Sequence, residues 1–413
     1  MISDLNSVDP ALFNNYGDLR KTLDGMAWTR THSLMLVTMV TSFFVWGMLL
    51  VVAPLVTEWP VVPRDYTTYI LLASPAGLLI GNILMGFLAD RFGRKKIFMT
   101  TMVMGAIGIS GIILSANVLE IIISIILAEM GFGGEETVSL AFMAELFPAR
   151  YRGKVLILTS NSANIGVAFL SGVFLLTPAD IYLQKLLFGI MAIAGLIIAI
   201  YARVRIPESI RWRYVSRSVA AKPEISSKGI LKFLVLLSFA ITIVLTFALV
   251  TFVMGPYKFP LYVSLIAFSS GLGTSATGIL AIFFIDRVPR KLLALFAYTG
   301  GFLSMTLFIP YLFFSSSLML FVVLVLINSF FSELGWASRE LLQPELFDTG
   351  WRGRGIASVR GIAYGIYIAS LFLLVNFSTL NYMIFATMMW SIGFIGSVVW
   401  FIRGNETGRV SLA

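Results

Sequence analysis

The chain has 413 residues, 58% of them hydrophobic and only 12% charged, with a mean hydropathy of +0.91. That leaves too little polar surface to cover a water-soluble globule, so the surrounding solvent is lipid. The net charge of +9 lies almost wholly on one side of the spans, which makes it a topology signal and excludes a nucleic-acid ligand. Cysteine is absent, which excludes disulfides, thiolate catalysis and cysteine-ligated metals.

Residues 1–32 carry Asp4, Asp9, Asp18 and Asp24 but no apolar core, so they read as a cytoplasmic segment and not as a cleavable signal peptide. His32, the sole histidine, stands at the mouth of the first span. An interfacial polar role is expected for it, with a proton relay as the sharper alternative. Twelve apolar stretches follow, centred near residues 45, 77, 107, 131, 166, 194, 243, 273, 303, 329, 366 and 391. Each is long enough to cross a bilayer as a helix of roughly 20 residues, which predicts an all-α membrane protein with twelve transmembrane helices.

Residues 33–203 form one six-helix bundle and 231–402 a second. Between them, 204–230 reads as a linker with Arg205, Arg211, Arg213, Arg217, Lys222 and Lys228, and 403–413 form a tail. Of the 30 Lys and Arg, Arg64, Lys185 and Lys258 fall in loops on one side and Arg339 lies inside a span. The others border the opposite side, which places both termini in the cytoplasm of a multi-pass cell-membrane protein. Glycines such as Gly105, Gly108, Gly131, Gly133 and Gly134 are expected to serve close helix packing.

Span four holds Glu129, Glu135 and Glu136, and span ten holds Glu333, Arg339 and Glu340. Ionised groups are expensive at mid-bilayer, so these are expected to face a wet cavity, to pair, or to carry protons. Glu129 and Glu136 share a helix face, whereas Glu135 lies about 100° from Glu136, so the three cannot line one wall. Arg339 and Glu340 also read as interfacial pairing residues near the end of span ten. Asn161, Asn164, Asn328, Trp336, Tyr364 and Tyr367 are polar candidates for the cavity. Each alone reads first as an inter-helix hydrogen-bonding residue.

The halves repeat. Glu145-Leu146-Phe147 with Arg152-Gly153 returns as Glu345-Leu346-Phe347 with Arg352-Gly353, and Asp90-Arg91, Gly93-Arg94 returns as Asp286-Arg287, Pro289-Arg290. Together with Gly86 and with Pro207-Glu208-Ser209-Ile210-Arg211, these motifs resemble the signature of the major facilitator superfamily. The resemblance is to the branch containing sugar porters, phosphate and aromatic-acid symporters and organic-ion carriers. It implies two pseudo-symmetric six-helix bundles that rock about a central site. It also implies gating ion pairs on Gly86, Asp90, Arg91, Gly93, Arg94, Glu145, Arg152, Glu208, Arg211, Asp286, Arg287, Arg290, Glu345 and Arg352.

Pro289 and Asp348 depart from the pattern, which suggests a weaker second latch. Span seven lacks the glutamine of sugar porters, Val45 and Met48 stand where proton-coupled relatives carry acids, and span four lacks the arginine of many relatives. By resemblance Glu135 is the first proton-site candidate; by depth, Glu129 and Glu333 are.

No nucleophile and base pair, metal cluster or phosphate-binding loop is present, so no enzyme, catalytic residue, metal or cofactor is expected. The expected function is secondary transport of a small polar metabolite, an organic acid, sugar or phosphate, as a monomer and with proton coupling. An uncoupled facilitator or organic-cation carrier is the alternative. A channel fits poorly with matched latches, and a transporter-like sensor would need an added signalling domain.

Overall fold

The computed structural model describes residues 13, 15–178, 180–217, 227–248, 259, 261–315, 317–347, 352–374 and 377–408. Lys222, Lys258 and Asp348 fall outside the described residues. Among the described residues, eleven helices are long and apolar enough to cross a membrane. Val118–Leu146 completes the twelve: its 29 residues carry the acids that lower its hydropathy, yet it packs broadly against the second and third spans.

The spans are Arg30–Val56, Thr67–Phe92, Arg94–Leu114, Val118–Leu146, Ala149–Leu176, Ile181–Val204, Ser227–Ala248, Val263–Phe284, Arg290–Phe314, Leu318–Leu346, Arg352–Leu374 and Thr379–Arg403, numbered one to twelve in that order. A short helix, Tyr16–Gly25, precedes them, and Ile210–Arg217 lies between spans six and seven.

Contacts repeat between halves: spans two and three pack on four as eight and nine pack on ten, and span one packs on five and six as seven packs on eleven and twelve. Small residues let these backbones meet. A Cβ on Gly108 would lie 2.3 Å from the Ala128 backbone nitrogen, and one on Gly131 would lie 2.6 Å from that of Gly105, so both positions are close crossings, as the sequence leads one to expect.

Two broad seams join the halves, span two against span eleven and span five against span eight. On the face opposite the termini, Ser264 Oγ of span eight donates to the Glu58 carboxylate at 2.9 Å. Burial raises the Glu58 carboxyl above its ordinary value, and the bond from Ser264 works against that rise.

Candidate functional site

On the face bearing the termini, here called the basic face, Gly93 adopts φ 104° between spans two and three. A side chain there would be strained and would also lie 2.4 Å from Glu208 Oε2. Glu208 accepts the backbone N–H groups of Arg94 and Lys95, each at 3.0 Å, and so satisfies the exposed donors at the start of span three. Arg94 contacts Asp90 and lies 3.2 Å from Glu145. Ser209 Oγ donates to Glu145 at 2.5 Å, and Arg211 Nε donates to its carbonyl oxygen at 2.8 Å.

The other half reaches into this cluster. Arg352 Nη1 lies 3.2 Å from Glu145, the Arg354 N–H donates to Asp90 at 2.8 Å, and a Cβ on Gly353 would lie 2.6 Å from Asp90 Oδ1. The first copy of the motif is thus a buried clamp across the seam.

The second copy is looser. Proline cannot take the φ of Gly93, and Pro289 sits at φ −56°. Arg290 lies 3.8 Å from Asp286 and 3.6 Å from Glu345. Glu406 accepts the Arg290 N–H at 2.8 Å and Thr407 Oγ1 donates to Glu345 at 2.6 Å. They repeat the roles of Glu208 and Ser209 at an offset of 406 − 208 = 198, a signal the sequence held in Asn405-Glu406-Thr407. A Cβ on Gly153 would lie 2.2 Å from Asp286, mirroring Gly353 on Asp90.

The N-terminal helix joins the clamp. Arg152 pairs with Asp24 at 2.6 Å, and Asp24 also accepts from Arg211 at 2.7 Å, so the short N-terminal helix belongs to the network. Arg91 and Arg287 are exposed, and among the described residues neither forms an ion pair. Exposure to water favours solvation over pairing, so these two stand outside the clamp. That corrects the gating ion pairs expected of both.

Asp90→Asn should weaken the clamp by removing charge from a site that meets Arg94 and Arg354. A shift of roughly tenfold toward states open at the basic face is expected, read as longer spin-label distances across that face. Unchanged distances would reduce the motif to a topology signal.

His32 is fully buried, with Nδ1 2.9 Å from Thr29 Oγ1 and Nε2 3.3 Å from the Leu146 carbonyl oxygen. Both ring nitrogens are thus occupied in capping span one and tying it to span four.

Between the halves lies a narrow cavity of about 40 Å³. Leu50, Ala53 and Pro54 of span one, Leu71, Ser74, Pro75 and Leu78 of span two, Ile243 and Val244 of span seven, Trp336 of span ten, and Tyr364 and Tyr367 of span eleven line it. Pro54 and Pro75 lie inside helices and lack an N–H, which leaves the carbonyls of Leu50 and Leu71, both of the cavity wall, without their helical donor.

The acids separate as the helical geometry requires. Glu129 accepts from Ser74 of the cavity wall at 2.6 Å. Glu135 is buried inside the first half, beside Ser42. Glu333 accepts from Asn164 across the seam at 2.7 Å, and Asn161 donates to the Ser275 carbonyl oxygen at 3.1 Å. Asn328 donates to Ser304 Oγ of span nine at 2.9 Å and serves packing inside the second half. Trp336, Tyr364 and Tyr367 stand in the cavity wall.

Glu136 belongs to a cluster that the sequence did not reveal. Arg360 of span eleven is fully buried, contacts Glu136, and donates through Nη2 to Glu340 at 2.6 Å. Arg339 donates to Glu340 at 2.6 Å and lies 3.7 Å from Glu136. Arg339 is therefore not the one base inside a span, nor is its pairing with Glu340 interfacial. Arg360 lies only eight residues past Arg352, which made it look like part of the basic helix border.

The four charges balance, two against two, and join span four of one half to spans ten and eleven of the other. The Arg339 guanidinium stacks 4.2 Å over the Trp336 ring. Because Arg339 follows Trp336 in span ten and Arg360 precedes Tyr364 in span eleven, both bases lie about one turn nearer the basic face. The quartet is the floor between cavity and clamp.

A family model described as Major Facilitator Superfamily matches residues 35–370. The niacin transporter NiaP of Acinetobacter baylyi is 27% identical over 162 residues, covering 39% of this chain and 36% of the relative. The minor myo-inositol transporter IolF of Bacillus subtilis is 26% identical, covering 71% of this chain and 70% of the relative. The chain thus spans little more than a third of the first relative's length and about two thirds of the second's. Among solved structures, the proton:xylose symporter XylE bound to 6-bromo-6-deoxy-D-glucose superposes with a TM-score of 0.72 at 17% identity, over 92% of this chain and 97% of that one. At that identity the likeness concerns the fold.

Proposed function

The chain belongs to the Major Facilitator Superfamily, and from that premise we propose that it carries a small organic acid with a flat, apolar body across the cell membrane by alternating access, coupled to protons. The observation that carries this reading is the composition of the cavity. Its walls are aliphatic and aromatic, with Trp336, Tyr364 and Tyr367 contributed by the second half. Beneath Trp336 lies Arg339, whose Nε and Nη1 have no hydrogen-bond partner among the described residues.

As the halves part and the cavity widens, such a lining suits a ring between apolar walls and a carboxylate on the guanidinium. A sugar presents many hydroxyls, and this wall offers few groups to satisfy them. The relative named as a niacin transporter agrees with an aromatic acid, while the one named for myo-inositol marks the competing class.

Purified protein should be stabilised in a thermal-shift assay by nicotinate or benzoate and not by xylose, myo-inositol or inorganic phosphate. At about 100-fold excess over Kd, a ligand that binds the folded state alone adds roughly 2.7 kcal/mol. Stabilisation by the polyols alone would overturn the organic-acid assignment.

The basic face is assigned to the cytoplasm on the distribution of Lys and Arg, with bundles at 33–203 and 231–402 around the linker 204–230, acting as a monomer. Single cysteines in this cysteine-free chain test it. Arg205→Cys should react with an impermeant maleimide only after the membrane is opened, and Ser315→Cys in intact cells. The reverse pattern would invert the topology.

A further inference from the structure

Where spans five and eight meet at the basic face, we propose a binding slot for the headgroup of an anionic phospholipid, distinct from the transport cavity. A groove there is lined by Arg150 and Lys154 from one half, Arg287 and Phe283 from the other, and Asp24 and Asp286. Asp24 is held by Arg152 and Arg211, and Asp286 faces Arg290 at 3.8 Å. Arg150, Lys154 and Arg287 are exposed, and among the described residues no ion pair joins any of them to an acid. With Arg152, Arg211 and Arg290 set against the two acids, the three exposed bases leave the groove with a net positive charge.

What lies below them separates a lipid from a soluble anion. Arg287 stands in the turn just past span eight, and deeper on that span follow Phe283, 71% exposed, and then Leu280 and Leu272, 56% and 51% exposed. On span five Lys154 is followed by exposed Leu158 and Ile165. Both stripes keep helical spacing, so each helix offers a base at the interface and an apolar track running into the bilayer.

Charged end, interfacial depth and two apolar walls match one phospholipid, with its phosphate among the three bases and its acyl chains on Phe283 and Leu158. The slot takes bases from both halves and flanks the Asp286 and Arg290 pair. A lipid seated there ties the halves together beside the looser copy of the clamp.

The test uses the full chain with Leu158→Cys labelled by bimane, in nanodiscs of phosphatidylcholine containing brominated phosphatidylglycerol or, in parallel, the same mole fraction of brominated phosphatidylcholine. Three bases imply local enrichment of the anionic lipid by up to roughly a hundredfold, so quenching at residue 158 should be stronger with phosphatidylglycerol. A bimane at Ile107→Cys, lipid-facing but remote, should show no preference.

Combining R150Q, K154Q and R287Q should abolish the excess at residue 158, while R150K, K154R and R287K should keep it, which separates charge from misfolding. Equal quenching by both lipids in the unaltered slot overturns the proposal. An excess that inorganic phosphate removes would assign the slot to a soluble anion and overturns it equally.

Discussion

Arg360→Leu is expected to lower stability by about 3–5 kcal/mol, because it strands buried charge with nothing to compensate it. Arg360 contacts Glu136 and donates to Glu340, and all three side chains are fully buried. Without the guanidinium, Arg339 alone must answer two carboxylates from opposite halves. The loss should appear as a fall in melting temperature of roughly 5 °C in detergent.

Glu136→Gln combined with Arg360→Gln removes one charge of each sign and keeps hydrogen-bonding capacity, so it should recover most of the loss; the coupling between the two sites is the quantity to report. The floor also opens when its cross-half ties are cut, so the single variant should favour states open at the basic face. If Arg360→Leu melts like the unaltered protein, the quartet holds nothing together.

The spans were legible in the sequence because in lipid a helix must be apolar along its whole length, a signal strong enough to survive the acids of span four. The repeated motifs were legible for a related reason: the residues that close one face recur in both halves at nearly constant offset. Facing was not legible. Asn164 and Asn328 are both asparagines inside spans, yet one reaches Glu333 across the seam and the other ties spans nine and ten within one half.

Which side of a helix meets the cavity is set by packing between helices, and the hydropathy pattern of a lipid-embedded span hardly varies around its circumference. Arg360 was hidden for a different reason. A base eight residues into a helix that opens with Arg352 and Arg354 looks like a topology signal, and only its burial against Glu136 and Glu340 separates it from them. Glu406 was hidden by the identity of its neighbours, since Asn405 and Thr407 stand where Pro207 and Ser209 make the first copy recognisable.

Glu129→Gln should abolish accumulation against a gradient while leaving exchange of substrate intact. The structure moves Glu129 ahead of Glu135 for this role. Glu129 accepts from Ser74, a residue of the cavity wall. Glu135 is buried within the first half and Ser42, not the cavity, lies beside it.

A proton carrier must meet water from each side in turn, and a carboxyl one hydrogen bond from the substrate cavity satisfies that as the halves rock. Glutamine keeps size and hydrogen bonding but cannot titrate, so only the coupled step fails. In liposomes with an imposed gradient of one pH unit, one proton per substrate corresponds to roughly tenfold accumulation, since 1.4 kcal/mol is a factor of ten. Glu129→Gln should hold the ratio near unity, and Glu135→Gln should accumulate like the unaltered protein. Should Glu129→Gln still accumulate substrate, the proton passes elsewhere. Should the unaltered protein ignore the pH gradient, the chain is a facilitator and Glu129 belongs to substrate binding or to packing alone.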